Sequence, residues 1–189
     1  MNSRQSLPYT MWLCVLLAAA ACAARAADAP VLAGVVVGVV DGDTADVRLA
    51  SGTVRIRLHA IDAPEMGQPY GKAAKTMLSD LVYGRTVDVE PYEQDRFDRL
   101  VARLWLGTVD VNAELLKSGH AWTYRRYADD AGYCAFEKSA RDLRRGLWQA
   151  PPGERIAPWE WRQRKSRAGQ FTDYDDESVT ACVAALGRR

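Results

Sequence analysis

Histidine and cysteine are scarce in this chain of 189 residues, and neither falls into a spacing that builds a metal site. His59 and His120 stand far apart, and Cys14, Cys22, Cys134 and Cys182 form no CxxC pair, which argues against a structural zinc site. A surplus of one charge is also lacking. With 25 Lys and Arg against 24 Asp and Glu, bulk charge does not mark the chain as a polyanion binder. No apolar run reaches the about 18 residues that a membrane span needs; the run from Met11 to Ala24 falls short. Internal repeats and low-complexity tracts are absent as well.

What is present is ordinary globular material, 48% hydrophobic and 26% charged, enough for one core of modest size. The apolar run follows a segment whose only charged side chain is Arg4, and Ala24-Arg25-Ala26 offers small residues for cleavage, the outline of a secretory signal peptide over residues 1 to 26. A lipoprotein would instead be acylated at Cys22, but Ala19 stands where a leucine is usual three positions before it. The expected location is periplasmic or secreted, with no membrane contact after cleavage. Removing Arg4 and Arg25 leaves 23 basic against 24 acidic residues, a net of −1. The mature chain keeps Cys134 and Cys182, and an even pair in an exported protein suggests a disulfide, two unrelated buried thiols being the alternative.

The informative stretch is residues 39 to 65. Val35 to Val40 is a β-branched run closed by Asp41-Gly42-Asp43, a strong turn signal. Ala45 to Leu49 reads as a second strand. After Ser51-Gly52, Val54, Ile56, Leu58 and Ala60 alternate with Arg55, Arg57 and His59, so Arg57 points away from the aliphatic face of a third strand. Pro64 breaks the chain beyond Ile61, leaving Asp62 and Glu65 on the break. Asp41, Asp43, Asp62, Glu65 and Arg57 thus sit at strand ends where turns could gather them, and such a cluster of acids needs a cation. Aspartate oxygens are donors of the kind calcium requires.

Downstream, Lys72 to Val82 carries Ala73, Ala74, Met77, Leu78, Leu81 and Val82 at helical spacing, with Gly84 suited to the left-handed cap. Thr86 to Pro91 and Leu100 to Leu106 read as strands around a charged turn, Asp95-Arg96-Phe97-Asp98-Arg99. A second helix is expected over Val111 to Ser118, capped at Asp110 or Asn112, and a third from Asp130 to Gly146. Five short strands with a helix inserted after the third suggest a small Greek-key barrel of the OB type. From Pro151 the texture changes to Pro/Gly, then Pro158 to Arg167 rich in Trp and Arg, then acidic Asp173 to Glu177, read as an irregular extension folded back on the domain. Cys182 would fasten its far end to the third helix through Cys134. The Trp/Arg stretch suits either base stacking with phosphate contact or aromatic anchoring of the tail.

Asp-Gly-Asp-Thr, an arginine fourteen residues after the second aspartate, and Asp-x-Pro-Glu beginning five residues later are met by Asp43, Arg57, Asp62 and Glu65. On this pattern the chain, over roughly residues 33 to 148, resembles the staphylococcal nuclease (thermonuclease) family. The resemblance implies an α+β fold, a five-stranded OB-fold Greek-key β-barrel with three helices, spanning residues 30 to 150 before an extension of residues 151 to 189. It implies one Ca2+ ion held by Asp43, Asp62 and the backbone oxygen of Ala63, with Asp41 just outside. Asp41 reads equally well as a turn aspartate closing its own backbone. Glu65 is the expected general base or water-orienting group, and Arg57 and Arg99 the expected phosphate clamp. Asp95 to Arg99 resembles the family's Asp-Lys-Tyr-Gly-Arg, with Arg96 facing a substrate phosphate, Phe97 lacking the tyrosine hydroxyl, and Asp98 in place of glycine. Aspartate tolerates left-handed backbone better than most residues, although its charge beside Arg99 could weaken substrate binding. Tyr127 matches an aromatic that stacks on a base.

The implied activity is calcium-dependent hydrolysis of single-stranded DNA and RNA to 3′-phosphate products by a monomer without a stable protein partner. The rival expectation is a catalytically silent OB-fold module binding nucleic acid or protein. A third is a structural exported domain that uses its Trp/Arg tail for a protein partner.

Overall fold

Alternation of small and β-branched residues makes the opening strand, β1 (Leu32–Val39), which pairs antiparallel with β2 (Thr44–Leu49), and β2 pairs with β3 (Gly52–Leu58). The structure is a computed structural model that describes residues 32–163 and 171–188; the expected signal peptide, Cys22, and Arg164 to Arg167 lie outside the described residues. After the short β4 (Ile61–Asp62) comes α1 (Gly71–Val82), then β5 (Thr86–Gln94) and β6 (Leu100–Leu106). β5 pairs with β1 and with β6, and β6 closes the ring by pairing parallel with β3, opposing Ile56 to Leu100 and Leu58 to Ala102. Five strands therefore form a closed α+β barrel of the expected OB type. Pro91 is tolerated inside β5 because the register shifts there, between Pro91 and Glu93.

Beyond the barrel, β7 (Val109–Asp110) leads into α2 (Val111–Lys117), whose N-terminus is capped by Asp110 accepting from the Ala113 N–H. β8 (Trp122–Thr123) pairs with β4, and α3 (Ala131–Asp142) follows. The helix expected to run to Gly146 stops at Asp142; the chain turns at Arg144 and Gly146, both at positive φ, into a 3-10 turn over Gly146–Gln149. The larger correction concerns the extension, expected to be irregular: it carries α4 (Pro158–Gln163) and α5 (Val179–Ala185), in addition to the three α-helices of the barrel domain. Among the described residues no helix is long and apolar enough to cross a membrane.

Two buried clusters explain this. The barrel core joins Val36, Val47, Ile56, Leu58, Val89 and Leu104 to α1 through Ala74, Leu78 and Val82. A second cluster groups Trp122, Ala140, Leu147, Trp148 and Ala157, with Tyr70, Trp159 and Tyr174 packed on it. Trp122 and Trp148 are too large to be covered by α3 alone, and the extension completes their burial. Charge pairing reinforces the closure. Glu137, fully buried, accepts from the Thr123 N–H at 2.6 Å and from Arg125 at 3.0 Å, and Arg125 also pairs with Glu177 of the extension.

A disulfide joins Cys134 of α3 to Cys182 of α5 across 48 residues of sequence. Cross-linking a loop of that length restricts the unfolded chain, so Cys182→Ser should lower the unfolding free energy in urea by about 4 kcal/mol or somewhat less. An unchanged urea midpoint would mean that the aromatic and ionic contacts alone secure the extension.

Candidate active site

The site is assembled by strand register. Thr44 lies opposite Arg57 in the β2–β3 ladder, and the Leu58 N–H donates to the Asp43 carbonyl at 2.8 Å, so Asp43 and Arg57 meet at one end of the barrel. β3 ends at a corner where Ala60 takes φ 63°, a left-handed conformation that costs a non-glycine residue about 1 kcal/mol or more. The corner turns the chain into β4, and the pairing of Asp62 with Trp122 holds it there. Close approach dictates the glycine between the two turn aspartates. A Cβ on Gly42 would lie 2.6 Å from Ala74 Cβ and 2.7 Å from Ala63 Cβ, so only glycine lets the turn nest against α1 and the Asp62–Pro64 loop.

Arg57 is the pivot of the resulting cluster. Its Nη1 lies 3.1 Å from Asp43 Oδ2 and its Nη2 2.9 Å from Asp62 Oδ1, while Nη1 also donates to the Leu58 carbonyl at 3.0 Å. Burial opposes its charge, but Asp43 and Asp62 outweigh that and hold its pKa above the ordinary value. Asp43 Oδ2 further accepts the Ala63 N–H at 2.7 Å, and Oδ1 accepts from the Thr44 hydroxyl. Asp41 Oδ1 accepts the Asp43 N–H at 3.1 Å, which closes the turn, and its charge also acts on Asp43.

One guanidinium was not expected at the site. Arg162 of α4 donates from Nη2 to Asp62 Oδ2 at 2.7 Å, and from Nη1 to Asp62 Oδ1 at 3.1 Å and Glu65 Oε1 at 2.7 Å. Hydrogen bonds and charge from both carboxylates outweigh burial and raise its pKa. Its only trace in the sequence is Pro-Trp-Glu-Trp-Arg, a stretch whose spacing says nothing about where its arginine reaches.

Asp43, Asp62, Ala63, Glu65 and Arg57 are brought together with Asp41 beside them. Arg99 pairs with Asp95, its Nε 2.8 Å and its Nη2 2.7 Å from Asp95 Oδ2, one residue before Leu100, which lies opposite Ile56 in the β3–β6 ladder. Phe97 is 64% exposed, with the guanidinium of Arg96 4.7 Å and that of Arg99 5.4 Å from its ring centre. Asp98 adopts the left-handed backbone, φ 63°, and accepts from Gln94 Nε2, so its carboxylate is engaged away from Arg99. Tyr127 is exposed and meets the edge of Tyr124 at 4.8 Å; Tyr124 in turn stacks on Trp159.

The donors suit a hard cation. Asp43 and Asp62 are 6% and 1% exposed, and among the described residues Asp43 Oδ1 and Asp62 Oδ2 each receive a single hydrogen bond, leaving a lone pair free on each. Four carboxylates face two guanidiniums, a formal deficit of two positive charges. Among the described residues no group of three His, Cys, Asp or Glu side chains is placed to hold a metal. A cation here would therefore complete its shell with a backbone oxygen such as that of Ala63 and with water.

A scan against family models matches residues 55–150 to the staphylococcal nuclease homologue model. A protein of Escherichia coli O157:H7 named as an uncharacterized endonuclease is 39% identical over 133 residues, 70% of this chain and 86% of that protein. The chain belongs to the staphylococcal nuclease family. A micrococcal nuclease of Shigella flexneri is 38% identical over 146 residues, covering 71% of this chain and 83% of its own. The protein ParB of Escherichia coli is 36% identical over 166 residues, covering 80% and 93%. Membership makes the chain a nuclease, a hydrolase whose substrate class is nucleic acid, in a family whose members generally work with a metal ion.

Burial pushes the Asp43 carboxyl up to about 7 against the pull of Arg57, with Asp41 and Asp62 adding to the rise. The folded chain then binds a proton that the unfolded chain, near 3.8, has released, so this group subtracts stability progressively as pH rises from about 4 to 7. Asp43→Asn should therefore stabilise the metal-free protein at pH 8, with the gain fading toward pH 4. A gain independent of pH, read from urea midpoints across that window, would contradict the burial penalty.

Proposed function

We propose that the protein is an exported, calcium-dependent nuclease that hydrolyses single-stranded DNA and RNA to 3′-phosphate products, acting as a monomer. The observation that carries the reading is the buried Asp43–Arg57–Asp62 triangle with Glu65 at its rim, an oxygen-donor site short of positive charge beside a guanidinium able to meet a phosphate. Export is supported by the apolar run Met11 to Ala24 and by a disulfide in the mature chain.

Asp43, Asp62 and the Ala63 carbonyl would hold the ion. When bound, the ion supplies positive charge against a phosphodiester whose oxygens gain negative charge during attack. Glu65 lies at the open edge of the cluster, where it orients the attacking water or takes its proton. Arg57 would neutralise the equatorial oxygens: a cation drawing Asp43 and Asp62 to itself would free N–H groups of the planar fork that now meet those carboxylates. Arg99, next to the β6 residues that pair with Arg57's strand, would complete the phosphate clamp, while Arg96 and Phe97 of the same turn would bind the substrate strand and Tyr127 would offer a platform for a base. Phosphate charge and stacking together give little sequence preference and binding that weakens with salt.

The silent-module alternative has a specific observation against it, since both of the site's aspartates are buried at a desolvation cost that a purely passive barrel has no need to bear. The test is degradation of heat-denatured DNA by the mature chain in calcium and after chelation. Cleavage should vanish with the chelator, and Arg57→Ala or Glu65→Gln should each lower kcat by about 10²–10³-fold. A folded protein that binds the DNA without cleaving it in calcium would establish the silent module instead.

A further inference from the structure

The extension is joined to the Glu65 segment at two independent points. Gln68 accepts the Glu65 N–H at its Oε1, 3.2 Å, and donates from Nε2 to the Ile156 carbonyl at 2.5 Å, so one buried side chain spans the catalytic loop and the extension. Six residues beyond Ile156, Arg162 returns to the same loop and bridges Asp62 and Glu65 through Nη1. Between these points α4 is seated by Trp159, whose ring is parallel to that of Tyr124 at 5.5 Å and meets Trp122 edge-on at 5.9 Å. Ala157 beneath it is fully buried. A helix anchored in this way presents its arginine to the site as a fixed part of the wall.

We propose that Arg162 is a positioning residue of the nuclease site, supplied by the C-terminal extension, which holds the Glu65 carboxylate beside Asp62. The inference rests on the proposed roles of Asp62 and Glu65 and adds the group that fixes them relative to each other. Two neighbouring carboxylates repel, and Glu65, on a loop after Pro64 and at the cluster's open edge, has no strand ladder to hold it. A guanidinium sharing one nitrogen between both carboxylates removes the repulsion and sets their separation, which a point-like ammonium does less well. Among the described residues the hydrogen bonds to Asp62 leave one lone pair of Oδ2 free, so the bridge and a cation can occupy that carboxylate together.

The test uses the full mature chain with its disulfide formed, carrying Arg162→Ala or Arg162→Lys. Three quantities are read: kcat and KM on denatured DNA in calcium, calcium affinity by calorimetry, and melting temperature. Arg162→Ala should lower kcat by about 10²-fold with KM changed by less than about threefold, as expected when a group acts on the chemical step. Removing a positive charge from the acidic cluster should at the same time tighten calcium binding several-fold. Arg162→Lys should recover part of kcat, and melting should fall only slightly in either variant, because Asp62 keeps its pairing with Arg57. Tighter calcium binding together with slower turnover is a combination that a structural prop does not produce. A kcat that is unchanged or higher in Arg162→Ala would overturn the inference, the latter by making α4 an inhibitory cover. A loss of kcat accompanied by a large fall in melting temperature in both variants would overturn it in favour of a structural role. If the unsubstituted protein neither cleaves nor binds calcium, the proposed function fails and this inference with it, whereas an active protein indifferent to Arg162 refutes this inference alone.

Discussion

The site depends on one buried guanidinium. Arg57 spans Asp43 and Asp62, residues that come from the start of β2 and from β4 and that the barrel brings together through the β2–β3 register and the corner at Ala60. Without that bridge Asp43, almost without solvent, would lose its guanidinium partner among the described residues and Asp62 would rely on Arg162 alone. The same arrangement leaves the cluster short of positive charge. A protein that keeps buried acids underneutralised at a strand end holds electrostatic potential that a cation, and then an anionic substrate bound to that cation, can relieve. Stability is therefore lowered locally where chemistry needs it, and the barrel core and second aromatic cluster supply the compensation.

The second cluster ties this local economy to the extension. Trp122 is both the ladder partner of Asp62 and the centre around which Trp148, Trp159 and Tyr174 are packed. Packing on Trp122 thus supports the backbone that aims Asp62. Arg125, two residues beyond Thr123, pairs with Glu137 of α3 and Glu177 of the extension, and the Cys134–Cys182 disulfide closes the same face covalently. Residues 151 to 163 behave as a wall of the nuclease domain, laid against Gln68 and Tyr124 on one side and Trp122 on the other.

Much of the barrel was legible because its signals are local. Alternation in β3, the Asp-Gly turn, Asp110 as a cap and the left-handed tolerance of Asp98 all follow from the chemistry of a few neighbouring residues. The grouping of Asp43, Arg57, Asp62 and Glu65 was legible for another reason, since all four lie within one three-strand unit whose register a short stretch of chain dictates. Arg162 could not be found that way. Its place follows from Trp159 finding Tyr124 and Trp122 at long range, a packing event that leaves no periodicity in the sequence. The reading of the extension as irregular failed for the same reason: α4 and α5 are short helices with little intrinsic stability, formed where tertiary contacts and a disulfide hold them. The pairing of Arg99 with Asp95 inside its own turn is a further contact that motif spacing does not announce.

The central claim is that the Asp43–Arg57–Asp62 cluster is a cation site, and terbium luminescence reads it directly. Tb3+ is a hard ion that substitutes for calcium in oxygen sites, and Tyr124 stacked on Trp159 lies close enough to Asp62 and Arg162 to act as the sensitiser. The account predicts saturable sensitised emission from one ion per chain, competed by calcium and lost in Asp62→Asn. Saturable emission that persists undiminished in Asp62→Asn, or none at all from the folded protein, would contradict it.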